Sequence, residues 1–351
     1  MNLRLLDING RMVGPGYPCF IIAEAGVNHN GDLGLAKQLV DVAVQAGADA
    51  VKFQTFKAER IVTRDAPKAE YQKRTSNTAE SQFDMLRRLE LSPQTHHELK
   101  AYCEDRSILF MSSPFDEGSA DLLASMDVAV FKIPSGEITN LPFLAHVARK
   151  GRAMIVSTGM AYLSEVETAV RAIREAGNWH LVLLHCVSNY PADPADVNLR
   201  AMQTMSAAFS VPVGYSDHTP GIEVPLAAVA LGACVVEKHV TLDRSLPGPD
   251  HRVSLEPEEL GAMVRGIRIV EAALGHGRKE PAASEANTAA VARKSLVAAR
   301  DLPAGSKLTE DMIDILRPGT GLPPAMRQYL AGRTLLVDVS TGSFFSLEMV
   351  E

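Results

Sequence analysis

Eight short apolar segments recur through the first two thirds of the chain, and an amphipathic segment of helical period follows each of them. They are Cys19–Ala25, Ala50–Gln54, Ile108–Ser112, Val128–Ile133, Ala153–Ser157, Leu181–Val187, Val211–Tyr215 and Ala233–His239. Apolar and polar residues do not alternate in them, which is typical of parallel strands buried on both faces. Eight such units over roughly 250 residues predict a (β/α)8 TIM barrel. A doubly wound open sheet is the alternative, but no GxGxxG sequence follows the first strand to support a dinucleotide-binding form.

The predicted helices complete this alternation. They are Leu33–Ala46, Phe83–Glu90, Pro93–Arg106, Ser119–Met126, Leu141–Arg149, Ser164–Ala176, Leu199–Ala208, Gly221–Leu231 and Pro257–Leu274. A hairpin around Gly10 is expected before the first barrel strand. We therefore place a barrel domain at residues 1–274.

A smaller unit is expected after the barrel. Residues 275–286 are rich in Gly, Pro and charge, as linkers are, and residues 287–351 form the second domain. Within it, Ser295–Ala299 and Thr334–Val339 are β-like, whereas Thr309–Leu316 is predicted to form one or two helical turns.

Composition narrows the class of protein. The chain is 46% hydrophobic and 22% charged, which predicts an ordinary globular core. Its net charge of −7, with no basic stripe, argues against nucleic acid as a partner. The N-terminus lacks the apolar run of a signal peptide, and no apolar run is long enough to cross a membrane, so we expect a cytoplasmic protein without a membrane partner. The four cysteines are widely spaced with no CxxC, and three lie in apolar surroundings, which predicts buried thiols rather than disulfides or a zinc site.

Two histidines near predicted strand ends are candidate metal ligands. His218 ends Gly214-Tyr-Ser-Asp-His, and His239 ends Glu237-Lys-His. They are too far apart in sequence to be neighbours on one helix, but the ends of adjacent parallel strands lie about 4.8 Å apart. Two imidazoles with nearby carboxylates can hold a divalent cation that polarises a carbonyl group. These ligand types leave Mn, Co, Zn and Fe open.

Two lysines interrupt apolar strands, where an unpaired charge is costly. Lys52 and Lys132 are therefore expected to be paired or to bind an anion. Hydroxyl groups at the other strand ends would add donors to a phosphate or carboxylate pocket, and Glu24 and Glu137 are candidate acid/base groups. The hydroxyl-bearing residues are Ser113, Ser135, Ser157 and Ser216. Metal, anion pocket and carboxylates together indicate condensation of a small phosphorylated anion with a carbonyl compound.

An ordered set of sequence blocks resembles the sialic acid synthase (N-acetylneuraminate synthase) family. The blocks are IIAEAGVNHNGD, AVKFQTF, FKIPSGEITN, STGM, HCVSNYP, GYSDHT, EKHVTLD and GPDH, and they span the whole predicted barrel. The second unit, with ARDLPAGSKLTEDM and LRPGTG, is similar to the family's C-terminal antifreeze-like (SAF) domain.

This resemblance implies a reaction and its cofactor. Phosphoenolpyruvate would condense with the open-chain aldehyde of an N-acylated mannosamine-type sugar, giving a nine-carbon 2-keto acid and phosphate. A divalent ion, Mn²⁺ in most members with Mg²⁺ or Co²⁺ as alternatives, would lie on His218 and His239.

The same resemblance implies which residues meet each substrate. The phosphoenolpyruvate site would be made by Lys52, Ser113, Lys132, Ser135, Ser157 and Ser216. The sugar side would include Gln54, Ser188, Tyr190 and Asp250, with Glu137 near the aldehyde and Glu24 as the other catalytic carboxyl. Arg317 would complete this site from a neighbouring subunit, in a domain-swapped homodimer.

Two features leave the sugar open between N-acetylmannosamine and a diacetamido-trideoxy hexose. Many N-acetylneuraminate-forming members have Asn two positions before the tyrosine of the sixth strand motif, where this chain has Ser188, with Asn189 beside it. The segment Ala66–Tyr71 followed by Glu80–Gln82 is similar to relatives that make legionaminic acid.

Two rival functions remain. A synthase that takes a phosphorylated aldose would need a second basic cluster, for which the loops offer only Arg244 and Arg252. A non-catalytic sugar-binding protein with a silent barrel would not require Glu24, Lys52 and Lys132 together.

Overall fold

The computed structural model describes residues 5–69 and 80–351, and within them eight parallel strands form a nearly closed barrel. The barrel strands are β3 (Phe20–Gly26), β4 (Ala50–Thr55), β5 (Leu109–Pro114), β6 (Val130–Ile133), β7 (Ala153–Ser157), β8 (Leu181–Cys186), β9 (Val213–Asp217) and β10 (Val235–His239). The predicted TIM barrel is confirmed.

The strands follow one another around the barrel in chain order. The ladder runs β5-β4-β3-β10-β9-β8-β7-β6, and β10 joins β3 with Val235 opposite Phe20 and His239 opposite Glu24. This pairing of the first and last barrel strands excludes the doubly wound alternative. It also brings the carboxyl ends of all eight strands to one rim, where barrel enzymes have their active sites.

Strand residues alternate between the barrel interior and the surrounding helices. Phe20, Ile22 and Val235 belong to the inner apolar cluster, while Ile21 and Val236 pack in the outer one. Both faces are buried, which explains why the strand sequences are continuously apolar.

Helices follow the barrel strands and cover them. They are Leu33–Ala46, Gln82–Leu89, Pro93–Asp105, Glu117–Ser125, Leu141–Ala148, Leu163–Glu175, Ala201–Phe209, Glu223–Ala230 and Pro257–Leu274. Side chains of Asp32, Ser81, Ser92, Asp116 and Asn140 accept hydrogen bonds from backbone N–H groups in the first turns and so fix where five of these helices begin.

The hairpin expected around Gly10 is present before the barrel. Strands β1 (Leu6–Ile8) and β2 (Arg11–Val13) pair through a turn in which Asn9 and Gly10 both have positive φ, 52° and 81°. Leu6, Ile8 and Val13 join the inner apolar cluster with Phe20 and Ile22. The hairpin therefore closes the amino end of the barrel interior, opposite the catalytic rim.

Residues His276–Glu351 form a separate compact unit with its own apolar cluster, which includes Leu296, Leu330 and Phe345. A 3-10 turn at Ala283–Glu285 and a helix at Ala286–Ala292 precede β11 (Ser295–Ala298), which pairs antiparallel with β12 (Ile313–Leu316).

Two predictions within this unit were wrong in part. A 3-10 turn covers Glu310–Met312, but Ile313–Leu316 is a strand, since its residues alternate between buried and exposed positions as a β-strand requires. Thr334–Val339 makes isolated bridges rather than a continuous strand.

All four cysteines are buried free thiols, whereas apolar surroundings in the sequence predicted burial for three of them. No helix of residues 5–69 and 80–351 has the length and apolar character needed to cross a membrane.

Candidate active site

A cavity of about 470 Å³ lies at the carboxyl ends of the barrel strands. Fourteen of the fifteen predicted site residues line it: Glu24, Lys52, Gln54, Ser113, Lys132, Ser135, Glu137, Ser157, Ser188, Tyr190, Ser216, His218, His239 and Asp250. The fifteenth, Arg317, follows β12 in the second unit. Residues far apart in sequence thus meet at one place, because the parallel strands carry them to the same rim.

A buried cluster of charges occupies the deep end of the cavity. Lys52 Nζ lies 2.8 Å from Glu24 Oε2 and 3.6 Å from Glu237 Oε2, and Lys132 Nζ lies 3.5 Å from Glu237 Oε1. Lys52 also donates to Ser113 Oγ at 3.0 Å. Both lysines are therefore paired, Lys52 with Glu24 and Lys132 with Glu237.

The two carboxyls of this cluster differ in proton affinity. Burial alone would raise the pKa of Glu237, but the ammonium groups of Lys132 and Lys52 and a hydrogen bond from Ser216 lower it to about 2. Burial, only partly offset by Lys52, raises the pKa of Glu24 to about 7. When Glu24 is protonated, two ammonium groups face one carboxylate, and the positive excess favours an anionic ligand.

Hydroxyl groups surround this positive end. Ser113 and Ser216 are bound within the charge cluster, and Ser135 Oγ accepts from the Gly159 N–H at 3.0 Å. Ser157 Oγ is buried and makes no hydrogen bond to any described residue. A buried polar atom without a partner is costly unless a ligand or water pairs with it, so Ser157 fits an anion site.

Gly159 shows why the loop after β7 needs its glycine. A Cβ at this position would lie 2.2 Å from Ser188 Oγ and 2.8 Å from Ser135 Oγ. The missing side chain lets the β7 and β8 loops approach each other, and both serines line the cavity.

His218 and His239 form the candidate metal centre. Their ring centroids are 5.6 Å apart, and the Tyr190 ring lies 4.2 Å from the first and 5.9 Å from the second. Nδ1 of His218 donates to the Val187 carbonyl at 2.8 Å, which leaves Nε2 with a free lone pair. Nδ1 of His239 is buried without a hydrogen-bond partner among the described residues.

Both imidazoles are neutral at physiological pH, as metal ligands must be. Burial lowers the pKa of His218 to about 4 and lowers that of His239 well below its usual value. In the described part of the chain, no group of three or more His, Cys, Asp or Glu converges on one point. The pair fits an open site in which substrate and water supply the remaining ligands.

The carboxylates beside these histidines in sequence do not join them, contrary to the sequence interpretation. Asp217 faces outward from the barrel, where it pairs with Lys238 and accepts from Thr219. Glu237 faces inward but is held by Lys52 and Lys132. The alternation of strand residues separates Asp217 and Lys238 from the interior positions of Glu237 and His239.

The rest of the predicted sugar side lies around the mouth. Glu137, in the 3-10 turn Ser135–Glu137, is half-buried, and burial raises its pKa although Asn140 donates to it at 2.7 Å. Asp250 is buried, which raises its pKa to about 6. Gln54 Nε2 lies 3.4 Å from Glu24 Oε1, linking the two ends of the cavity.

Two features of the site are not among the residues predicted from sequence: Glu237, which pairs with both cavity lysines, and part of the cavity lining. Glu237 interrupts the apolar run of β10 in the same way that Lys52 interrupts β4, so the same signal was available. An apolar side of the cavity, including Ile61, Val62 and Leu86, had no such signal. The helix Ala58–Ile61 was also missed, since four residues carry little periodicity.

The segment that resembles legionaminic acid relatives is only partly visible. Ala66–Ala69 and Glu80–Gln82 are described, and Ala69 and Gln82 line the cavity. Glu70 and Tyr71 lie outside the described residues.

Comparison with known proteins agrees with this geometry. A model of the NeuB family matches residues 39–279, and a SAF domain model matches residues 293–351. The chain is 50% identical to the N,N'-diacetyllegionaminic acid synthase of Legionella pneumophila over 98% of both chains. It is 49% identical to the enzyme of that name from Campylobacter jejuni, over 88% of this chain and 92% of the relative.

A solved structure shares the fold. The N-acetylneuraminic acid (sialic acid) synthetase of Leptospira borgpetersenii, crystallised with citrate, superposes with a TM-score of 0.72 at 38% identity. The match covers 81% of this chain and 95% of that one.

Proposed function

The chain belongs to the NeuB family and is an enzyme of phosphoenolpyruvate-dependent nonulosonic acid synthesis, and we propose that its product is N,N'-diacetyllegionaminic acid. The sugar substrate would then be 2,4-diacetamido-2,4,6-trideoxymannose. A carbon–carbon bond forms between C3 of phosphoenolpyruvate and the sugar aldehyde carbon, water adds at C2, and phosphate leaves. The identity of about one half to two legionaminic acid synthases, against 38% to a sialic acid synthetase, supports this sugar over N-acetylmannosamine.

The observation that carries the proposal is the convergence of Lys52 and Lys132 with a ring of serine hydroxyls. We assign phosphoenolpyruvate to this end, held by the residues Lys52, Ser113, Lys132, Ser135, Ser157 and Ser216. Lysine is a point charge that suits phosphate, and burial strengthens its attraction for an anion.

Two carboxyls are assigned to proton transfer. Glu24 is deep in the cavity with a pKa near 7, which suits a group that gives and accepts a proton at physiological pH. Glu137 also lines the cavity and would transfer a proton at the aldehyde oxygen. Gln54, Ser188, Tyr190 and Asp250 would hold the sugar.

We assign a divalent cation, Mn²⁺ with Mg²⁺ or Co²⁺ as alternatives, to His218 and His239. When bound there, it would supply Lewis-acid polarisation of the sugar carbonyl. The free lone pair of His218 Nε2 and the low pKa values of both rings support this assignment.

The rival that takes a phosphorylated sugar has less support. Lys52 and Lys132 are the only Lys or Arg side chains among the described residues lining the cavity, and both lie in the deep charge cluster. Arg244 is bound to Glu259 and to the Ser254 carbonyl, and Arg252 is exposed. A silent binding protein is equally disfavoured, because it would not need two buried lysines facing a cavity.

We further propose that the protein works as a domain-swapped homodimer in the cytoplasm, where phosphoenolpyruvate is made. Arg317 of one subunit would reach the sugar's N-acyl group in the other, since a guanidinium can give two parallel hydrogen bonds to a carbonyl or to vicinal oxygens.

Phosphate release tests the proposal. Purified protein with Mn²⁺, phosphoenolpyruvate and 2,4-diacetamido-2,4,6-trideoxymannose should release phosphate and yield a product with the mass of N,N'-diacetyllegionaminic acid. Release without sugar, or with no nine-carbon product, would overturn it.

A further inference from the structure

Part of the cavity lining is apolar. Val27, Ile61, Val62, Met85, Leu86 and Phe115 line it, and we call this set the apolar wall. Four of its members come from the chain between β4 and the helix Pro93–Asp105, where the helices Ala58–Ile61 and Gln82–Leu89 are additions to the basic barrel unit. In this fold, such additions at the carboxyl ends of strands are where substrate preference is set.

The apolar wall is a packed structure. Val27 and Met85 are buried in one cluster with Phe56 and Leu89, and the Phe56 and Phe115 rings meet edge to face with centroids 6.0 Å apart. Its side chains are therefore supported from behind and present a fixed shape to the cavity.

Polar contacts hold the two added helices in place. Glu90 accepts from Lys57 Nζ and from the Ala58 N–H, both at 2.8 Å, and so ties the start of one helix to the end of the other. Ser81 accepts from the Asp84 N–H at 3.1 Å at the start of the helix Gln82–Leu89. These contacts fix the positions of the two helices and of the apolar side chains that they carry.

Ile61, Val62 and Leu86 are only partly buried and line the cavity. Their side chains offer no hydrogen bond, so a hydroxyl placed against them would lose its water partners without replacement. A methyl group placed there would gain by leaving water. The cavity thus has a charged end for an anion and an apolar side for methyl groups.

We propose that the apolar wall selects the sugar by contacting the C6 methyl and the C4 acetamido methyl of the diacetamido-trideoxy substrate. This inference rests on the proposed function and adds to it the residues that contact carbons 4 to 6 of the sugar. With the aldehyde end assigned to Glu137 and the histidines, carbons 4 to 6 are the part of the sugar left to contact the wall. N-acetylmannosamine carries hydroxyls at carbons 4 and 6, which the wall cannot pair.

Two substitutions test the wall. Val62→Thr replaces a methyl by a hydroxyl at nearly constant shape, and Leu86→Gln adds an amide at similar length. Each should lower kcat/KM for 2,4-diacetamido-2,4,6-trideoxymannose by about tenfold, the effect of one lost apolar group in a pocket. The value for N-acetylmannosamine should stay constant or rise, and KM for phosphoenolpyruvate should not change.

Val224→Thr and Leu226→Gln are the matched controls. Both positions are partly buried in the helix Glu223–Ala230 and do not line the cavity. They should leave the ratio of kcat/KM values for the two sugars unchanged. Melting temperatures should show that all four variants fold.

The outcomes separate the two proposals. A wild-type protein that prefers N-acetylmannosamine would overturn both the proposed sugar and the wall. A wild type that prefers the diacetamido sugar, with wall variants that lose both sugars equally or behave as the controls do, would overturn the wall alone. The wall is supported if both wall variants lower the ratio of kcat/KM for the diacetamido sugar to kcat/KM for N-acetylmannosamine. If one variant fails to fold, the ratio measured for the other decides.

Discussion

Lys52 Nζ lies 2.8 Å from a carboxylate oxygen of Glu24, and both side chains are buried at the end of a cavity. Glu237 joins them at 3.6 Å and connects them to Lys132. Burying charges is costly, and the cavity lining also holds the Ser157 hydroxyl, which has no hydrogen-bond partner among the described residues. We infer that the arrangement is kept for an anion and not for stability.

Replacing either lysine should therefore affect one substrate far more than the other. We expect Lys52→Met and Lys132→Met each to raise KM for phosphoenolpyruvate by about two orders of magnitude, as for loss of one partner of a buried charge pair. KM for the sugar should change little. Steady-state kinetics with each substrate varied in turn measures both.

Lys238→Met is the matched control for these variants. Lys238 is equally buried and pairs with Asp217, but it does not line the cavity. Its loss should lower the free energy of unfolding by about 3–5 kcal/mol without raising KM for phosphoenolpyruvate. Equal losses for both substrates in the Lys52 and Lys132 variants, with lowered melting temperatures, would mean that their pairs are merely structural.

The histidine pair makes a second prediction. Either His218→Ala or His239→Ala should abolish turnover and bound Mn²⁺, measured by elemental analysis after gel filtration, while the circular dichroism spectrum persists. A chelator should abolish the activity of the wild-type enzyme, and added Mn²⁺ should restore that activity.

His185→Ala serves as its control, since His185 Nε2 donates to the Val197 carbonyl at 2.6 Å and His185 is not among the described residues that line the cavity. It should keep its metal. Full wild-type activity after chelation, or normal metal content in both the His218 and His239 variants, would refute the assignment.

A third prediction concerns stability in acid. Burial, with the nearby His96 as a smaller cause, lowers the pKa of His29 to about 4. The unfolded chain, with a histidine pKa near 6.5, binds the proton first as pH falls, so stability is lost between about pH 6.5 and 4. By the acid end of that range, this one group lowers the free energy of unfolding by about 3 kcal/mol.

Urea unfolding at several pH values measures this loss. His29→Asn should reduce the slope of unfolding free energy against pH in that window, whereas His97→Asn, at an exposed position of the helix Pro93–Asp105, should not. A slope that His29→Asn leaves intact would contradict the role of burial.

The barrel could be predicted from sequence because its signal is repeated. Eight apolar runs with intervening helical periods fix the strands, and the strand ends then bring Glu24, Lys52, Lys132 and His239 to one rim. The end of β9 was placed two residues early, at Tyr215, since Ser216 and Asp217 are polar; the structure continues the strand through Asp217.

Other features depend on contacts that sequence does not display. Because β9 was expected to end at Tyr215, strand alternation did not extend to Asp217, which the structure keeps in the strand and pairs with Lys238 on the outer face. The strand Ile313–Leu316 follows from its partner Ser295–Ala298, which competes with the local preference for a turn. The apolar wall likewise exists only once two short helices pack together.

The assigned role of Arg317 leads to a fourth prediction. Arg317→Ala should raise KM for the sugar by about tenfold or more, as for a lost charge-assisted hydrogen bond, and should spare metal binding. Mixing it with a His218→Ala chain should restore partial activity, because a hybrid dimer contains one intact site. A strictly monomeric active protein in sedimentation, or no rescue in hybrids verified by native mass spectrometry, would rule out a shared site.

The most direct test of the whole account is the specificity constant of the wild-type enzyme across three sugars at saturating phosphoenolpyruvate and Mn²⁺. The sugars are 2,4-diacetamido-2,4,6-trideoxymannose, N-acetylmannosamine and N-acetylmannosamine 6-phosphate. We predict that kcat/KM for the first exceeds that for each of the others by at least about tenfold, since two methyl groups meet an apolar wall and no further cation lines the described cavity. A highest value for N-acetylmannosamine or its phosphate, or no phosphate release with any of the three, would contradict it.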